Sequence, residues 1–417
     1  MNKKLVALAV AGAFALPLAA QAQTANVTLY GRLNLDLEFV KGKQADGSDP
    51  TVNRVSSNSS RFGMRGTESL GGGLNAIFQI ESNVNGDTGQ GPGGNLASRE
   101  TFVGLQGSWG KATIGKFLMP LDDLHPIFGN APTLTTSILA TAALWAQGPF
   151  SKGAGGFDAR TGNSIRYDSP NFSGFTTAWQ YSTRDSSGDQ QNTVTCTAPF
   201  PPSTTCPTPT VGTGGDSGDH PSELRHAYVI GGNLIYANGP WQAGIAFERN
   251  QKVRGPTLKD TDWTITGAYD FGTIMQGFGL RLAAAYERIK YDTPSGDLKR
   301  DFWAVSGTVP VGGGKVYLFY GRANEGKGGA ADGTTVGGLV KGPNTKSQQW
   351  EVSYSYSLSP RTLLYAGYVR LNNECNAKYS FNINGYTINT SHRFDSLDTV
   401  PCNGKPAGAV FGIVHFF

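Results

Sequence analysis

Pro406-Ala407-Gly408-Ala409-Val410-Phe411-Gly412-Ile413-Val414-His415-Phe416-Phe417 closes the chain on an alternation of period two. Ala407, Ala409, Phe411, Ile413, His415 and Phe417 fall on one face of an extended segment, and Gly408, Val410, Gly412, Val414 and Phe416 on the other. A sequence ending on the aromatic of a strand predicts that the strand's end is placed in something. The same pattern runs through Val27 to Val40. There Val27, Leu29, Leu33, Leu35, Leu37 and Phe39 oppose Thr28, Arg32, Asn34, Asp36 and Glu38.

Between these two segments, short and long connections take turns. Tight turns are read at Ser69–Gly73, Gly107–Gly110, Ser169–Gly174, Asn238–Pro240, Phe271–Gly277, Val311–Gly314 and Ser359–Arg361. Long polar connections are read at 41–57, 84–97, 117–163, 184–224, 251–261, 292–299, 323–346 and 372–405. Seven short and eight long connections predict sixteen antiparallel strands, with every long loop at one end and both termini at the other. An even strand number arranged so is that of a transmembrane β-barrel.

Later strands carry the same signal. Trp350, Val352, Tyr354, Tyr356 and Leu358 alternate with Gln349, Glu351, Ser353, Ser355 and Ser357. A half-exposed antiparallel sheet gives this alternation too. The membrane reading is preferred because the pattern persists with no domain break and because Trp241, Phe271, Phe278, Trp350 and Tyr356 gather near strand ends, as an interfacial girdle requires. Two stretches resist. Around Arg99–Gln106 the parity is ambiguous, and 226–236 is apolar on both faces.

After the first segment no run of about 18 apolar residues occurs, which excludes helical spans. At 38% hydrophobic with 57 Gly, the composition alone fits a soluble β-protein as well as a barrel. The N-terminus itself reads as a secretory signal: Lys3 and Lys4, an apolar run from Leu5 to Ala20 broken by Pro17, then Ala20-Gln21-Ala22. It predicts cleavage after Ala22, with residues 1–22 a signal peptide and 23–417 one barrel domain. An exported chain of lipid-facing strands points to a bacterial outer membrane. Formal charge is +4, or +2 without Lys3 and Lys4, which is no nucleic-acid footprint. Cys196, Cys206, Cys375 and Cys402 allow three disulfide pairings. Cys196–Cys206 with Cys375–Cys402 is favoured, since each pair lies in one polar stretch.

The connection from Phe117 to Asn163 is too long for a hairpin. It mixes Leu118, Leu121, Leu124, Ile127, Phe128, Ile138, Leu139, Leu144 and Trp145 with Asp122, Asp123 and His125. Folded into the barrel, its apolar side can pack on the wall while the acids face the lumen. Arg61 lies opposite Phe62 and Met64, Arg166 lies opposite Ile165 and Tyr167, and Arg32 shares the polar face of the first strand, so all three point inward. Arginines across a lumen from a carboxylate-bearing loop set a transverse field of the kind that decides ion selectivity.

Here a resemblance becomes specific. Ser59-Ser60-Arg61-Phe62-Gly63-Met64-Arg65-Gly66-Thr67-Glu68-Ser69-Leu70-Gly71-Gly72-Gly73-Leu74 resembles the first hairpin of trimeric Gram-negative general porins. Val27–Gly31, Asn163–Phe175 and Gly412–Phe417 resemble that family's mature start, strand–turn and closing strand. The resemblance covers essentially the whole mature chain. It implies a homotrimer of sixteen-stranded barrels in outer-membrane lipid, a third loop folded inward as the constriction, and passive diffusion of ions and small hydrophilic solutes. It also implies an arginine ladder facing loop acids: Arg61 and Arg99 match by motif position, Arg160 is a third, and Asp122 and Asp123 sit where loop acids belong. No cofactor is implied. Several arginines against two or three acids predict a weak anion preference. Val414 stands where the family often carries a basic residue, and the loops 184–224 and 372–405 are longer than usual.

Rival functions find little support. Gly215-Asp216-Ser217-Gly218 has the letters of a protease nucleophile, but sits in a Pro/Thr/Gly-rich loop without a positioned base. His125, His220, His226 and His392 lack metal spacing, as do the cysteines, so no metal site is expected. No phosphate-cradling glycine loop occurs. A barrel enzyme would need a Ser/His/Asn set on an outward strand, and a secreted β-rich binding module would be soluble without detergent. A plugged importer has no room for its plug before the first strand.

Overall fold

A computed structural model of the chain describes residues 26–42, 51–89, 96–129, 137–145, 157, 159–183, 227–253, 257–275, 277–336, 339–377, 379, 381 and 405–417. The signal segment, Cys196, Cys206, Cys402, the 215–218 motif and His220, His226 and His392 lie outside the described residues. The strands are β1 (Asn26–Lys41), β2 (Thr51–Ser57), β3 (Arg61–Gly71), β4 (Leu74–Asn83), β5 (Thr101–Gly107), β6 (Gly110–Leu118), β7 (Arg160–Asp168), β8 (Phe175–Ser182) and β9 (Tyr228–Asn238). They continue as β10 (Trp241–Gln251), β11 (Lys259–Asp270), β12 (Arg281–Thr293), β13 (Gly296–Val311), β14 (Gly314–Ala323), β15 (Thr335–Val336), β16 (Leu339–Val340), β17 (Ser347–Ser359), β18 (Thr362–Asn373) and β19 (Ala407–Phe416).

β15 and β16 form a separate small hairpin inside one long connection. The remaining strands make one sheet of antiparallel neighbours, closed where β1 pairs β19 from Arg32↔Phe416 to Lys41↔Ala407. β2 and β3 both pair β1, end to end, so they are two halves of one stave. The barrel therefore has sixteen staves, as the connection rhythm predicts. Closure removes the free edges that an open sheet would leave.

Side-chain partition settles which surface meets lipid. Leu29, Leu33, Val103, Ile114, Ile165, Ile265, Leu318, Val352 and Phe411 are exposed on the outside. Asn34, Asp36, Glu38, Glu81, Glu248, Glu287 and Gln349 are buried inside. A water-soluble sandwich has the opposite arrangement, and a barrel in hydrocarbon has this one. Outward aromatics sit at both rims. Trp241, Tyr269, Phe271 and Phe278 mark the short-turn end, and Trp263, Trp303, Tyr320 and Trp350 the other.

The closing strand is seated as its ending suggests. Gly31 and Phe417 exchange backbone hydrogen bonds of 3.0 and 3.1 Å, and the Phe417 ring fills the space that a Cβ on Gly31 would occupy. Only glycine lets the terminal aromatic lie there.

Some boundaries differ from the sequence reading. The last part of the connection read as 41–57 is strand, since β2 starts at Thr51. The connection read as 292–299 is a tight turn at Pro294–Ser295 between two long strands. Its charges, Asp292, Asp297 and Lys299, imitate a loop but belong to strand ends beyond the aromatic row. Around Arg99–Gln106 the parity resolves with Val103 and Leu105 outward, while Phe102 rests on the buried Phe117 at 5.4 Å. β9 is apolar on both faces because the long third connection covers its inner side, where Val229 packs with Met119 and Val253.

Candidate pore constriction

The connection from β6 to β7 folds into the barrel. It turns through a short 3-10 segment, Asp122–Leu124, into a one-turn helix α1 (His125–Phe128) that carries Pro126 in its first turn. Leu121, Leu124, Ile127 and Phe128 are buried against the wall, leaving the Asp122 and Asp123 side chains 25% and 33% exposed. Glycine at inward wall positions lets the connection approach closely. A Cβ on Gly231 would meet Met119 Cε at 2.8 Å, and one on Gly244 would meet Leu124 and Ile127 at 3.1 Å. Farther along, a Cβ on Gly408 would meet Ile138 Cδ1 at 2.6 Å and one on Gly367 would meet Leu139 Cδ1 at 2.8 Å.

Polar bonds pin both ends of this path. Asp123 Oδ2 accepts from Arg166 Nη2 at 2.7 Å and from Asn233 Nδ2 at 2.9 Å, and Asn233 also donates to the Pro120 carbonyl. Arg166 reaches Asp168 and the Leu118 carbonyl as well. In mid-path, Arg281 donates to the Ile127 carbonyl and Ser306 to that of Phe128. At the far side, Ser137 donates to Asp36 Oδ2 at 2.9 Å. The Tyr365 hydroxyl lies 3.0 Å from that same oxygen and 2.9 Å from Asn34 Oδ1. Gln349 Nε2 holds the Ala140 carbonyl at 3.0 Å. Trp145 closes the apolar side, 4.3 Å from His125, 5.3 Å from Phe128 and 6.1 Å from Phe302 between ring centres.

The connection thus lies along the inner wall from β9 round to β19 and β1. The arc from β1 through β3 to β7 carries the arginines. Arg32 and Arg61 are direct cross-strand partners. The break between β2 and β3 shapes this pair: Ser60 Oγ replaces backbone in the ladder, accepting from Asn34 N at 2.9 Å and donating to its carbonyl at 3.1 Å. Ser59 takes φ +50°, and the freed carbonyls of Ser59 and Asn58 accept from Arg32 at 3.2 and 3.4 Å. Such irregularities re-aim side chains at functional sites.

Arg99 and Arg61 converge on one wall carboxylate. Glu81 Oε1 is 2.5 Å from Arg99 Nε, and Glu81 Oε2 is 3.6 Å from Arg61 Nε and accepts from the Tyr30 hydroxyl at 3.0 Å. Arg160 stands at the start of β7 and is the strongest cationic influence on Asp122. The surrounding barrel desolvates both loop acids and pushes Asp122 and Asp123 up to about 6, against the pull of Arg160 on the first and Arg166 on the second. His125 is fully enclosed and pushed down to about 3, so it is neutral beside Asp122.

Arg32, Arg61, Arg99, Arg160, Arg166, Asp122 and Asp123 all fall around this one passage. The expected pairing differs in part: Arg166 meets a loop acid, but Arg61 and Arg99 meet Glu81 on the wall. Glu81 is legible in the sequence, because it opposes Ile80 on an alternating strand. Asp36 and Tyr365 fasten the connection's far side. Asp36 shares the polar face with Arg32, while Tyr365 shares its face with Leu363, and neither carries a stronger signal. Cys375 is disulfide-bonded. Among the described residues no group of three His, Cys, Asp or Glu could hold a metal.

The family model of Gram-negative porins matches residues 7–376. The chain belongs to that family. Outer membrane porin protein 32 of Delftia acidovorans is 30% identical over 383 residues, covering 90% of each chain. An outer membrane porin protein of Bordetella pertussis is 28% identical over 414 residues, covering 88% of this chain and 93% of that one. The solved anion-selective porin from Comamonas acidovorans shares the fold with a TM-score of 0.68 at 24% identity, covering 94% of this chain and all of the other. This porin is an outer-membrane β-barrel, and small solutes and ions cross it by passive diffusion.

Proposed function

We propose that the porin passes small hydrophilic solutes with a mild preference for anions, that Arg32, Arg61, Arg99, Arg160 and Arg166 with Asp122 and Asp123 form its constriction, and that it works as a homotrimer without catalysis. One observation carries the sign of the preference. Two of the wall arginines, Arg61 and Arg99, share a single carboxylate, Glu81, while Arg32 beside them is held by neutral carbonyls. That wall keeps excess positive charge. The loop side sets Asp122, Asp123, Glu100 and Asp168 against Arg160 and Arg166, so the excess positive charge lies on the wall. A solute therefore passes between a wall of excess positive charge and an acidic loop side, and Arg32, which carries no carboxylate, gives anions the modest advantage. A relative's description as an anion-selective porin agrees with this sign.

The reading includes export through a signal peptide cut after Ala22 and disulfides Cys196–Cys206 and Cys375–Cys402. Planar-bilayer reversal potentials in a salt gradient test the selectivity. Replacing Arg61, Arg99 and Arg160 together by Ser is expected to move the reversal potential toward cations, and an unmoved value would sink the assignment. Hydrolysis of phospholipid by the purified protein would overturn the non-catalytic reading.

A further inference from the structure

We propose that the inner wall on the short-turn side of the constriction holds a subsite for small aromatic carboxylates, built from Arg65, Gln79 and Phe102 beside the Tyr30 ring. This subsite deepens the anion reading of the same wall and rests on it. β3 runs from Arg61 toward the tight turn after Gly71, so Arg65 lies nearer that end by about 13 Å along the strand. Tyr30 lies flat across β3. Gly63 is its cross-strand partner, and a Cβ there would meet Tyr30 Cζ at 2.6 Å and the hydroxyl oxygen at 2.7 Å. Glycine at that position lets the ring reach over the strand to Glu81 on β4. The Arg65 guanidinium then stands 5.1 Å from the ring centre.

The register sets three side chains in one row on the lumen face: Arg65 opposes Gln79, and Gln79 opposes Phe102. With two strand spacings between them, Arg65 and Phe102 start about 10 Å apart, and an amide lies between. Phe102 is braced by Phe117 at 5.4 Å and by the Lys111 ammonium at 5.7 Å from its ring centre, and stays half-exposed. Lys111 is balanced by Asp168 at 3.3 Å. Arg61 and Arg99 turn to Glu81, Arg166 to Asp123 and Asp168, and Arg281 to the Ile127 carbonyl and Gln242. Arg65 is exposed and pairs with no carboxylate among the described residues. An open guanidinium fork takes a carboxylate through two parallel hydrogen bonds. With the Gln79 amide as a further donor, the ring attached to that carboxylate falls toward Phe102, where aromatic contact holds it. A short aliphatic acid would engage Arg65 and leave Phe102 unused. An aromatic cation would be repelled by Arg65.

The test places the full chain in planar bilayers in a chloride electrolyte, adds benzoate, cyclohexanecarboxylate or acetate, and reads the concentration that half-blocks the current. Benzoate is expected to block at a concentration at least tenfold below acetate and threefold below cyclohexanecarboxylate, which has the charge and bulk without the aromatic face. Arg65→Gln is expected to weaken the benzoate block at least fivefold. Phe102→Leu is expected to weaken it about threefold while acetate behaves as in wild type. Should the Gln variant fail to insert, Arg65→Lys keeps the charge, loses the fork and is expected to weaken the benzoate block about twofold. Equal block by benzoate and acetate in wild type overturns the proposal, and so does a benzoate block that neither the Arg65 nor the Phe102 variant moves. The reversal potential in a salt gradient is read on the same membranes. A cation-preferring value overturns the anion reading and the subsite with it, whereas an anion-preferring value without selective benzoate block overturns the subsite alone.

Discussion

Arg99 Nε lies 2.5 Å from Glu81 Oε1, so this arginine pairs with the barrel wall, where the sequence predicts a loop acid. The same carboxylate stands near Arg61 and takes the Tyr30 hydroxyl. Glu81 therefore sets how much of the arginine charge solutes meet.

Removing that carboxylate's charge while keeping its shape isolates the effect. Glu81→Gln is expected to move the reversal potential toward anions, the opposite direction from the triple arginine variant. Losing one partner of a buried pair costs roughly 3–5 kcal/mol, so the thermal shift of the barrel is measured alongside. A folded variant with wild-type selectivity would show that Arg61 and Arg99 do not face the solute path.

Acid should shift selectivity too. Asp122 and Asp123 are pushed up to about 6, above the ordinary range near 4, so they lose their charge on moving from about pH 7.5 to about 5. The arginines keep theirs over that interval. Anion preference is therefore expected to rise as pH falls, with its midpoint near the acids' titration. Asp122→Asn with Asp123→Asn is expected to show that higher preference at both values, without the pH step. A step that survives in the double variant would assign it to other groups.

The sequence disclosed the staves better than the fastening. Alternation through Val27–Val40 and 406–417 is a property of each strand alone, and a lipid-facing barrel must repeat it, so the count of sixteen was readable. The 292–299 error came from charge: Asp292 and Lys299 stand on strand ends past the lipid edge, where a strand need not be apolar. Inward direction of Arg61 and Arg166 followed from parity. Partner identity did not follow, because Glu81 and Arg99 come together only through the β3–β4–β5 ladder. Asp36 meets Ser137 across 101 residues, a pairing set by the path of the inner connection.

That last contact makes a prediction about noise. Asp36 Oδ2 takes both the Ser137 and Tyr365 hydroxyls, fastening the connection opposite its Asp123 anchor. Asp36→Ala leaves buried donors unsatisfied, at a cost of about 1–3 kcal/mol. With the far side loosened, single-channel records are expected to show more flicker and closure at lower voltage. Ser137→Ala, which removes only the connection's own donor, is expected to do the same more weakly. Quiet traces from both would mean the fastening has no part in holding the passage open.

Close approach offers the most direct check on where the connection runs. A Cβ on Gly408 would lie 2.6 Å from Ile138 Cδ1 and one on Gly367 2.8 Å from Leu139 Cδ1, both inside contact distance. Gly408→Val is expected to push the connection off the wall into the water column and lower single-channel conductance. Ile138→Ala removes the nearest colliding atom and leaves the looser contact with Val40, so the double variant is expected to recover much of the conductance. A non-additive cycle of this kind reports direct contact between the two positions. If the two changes act independently, residues 137–140 do not rest on β19, and the route drawn for the constriction is wrong at that end.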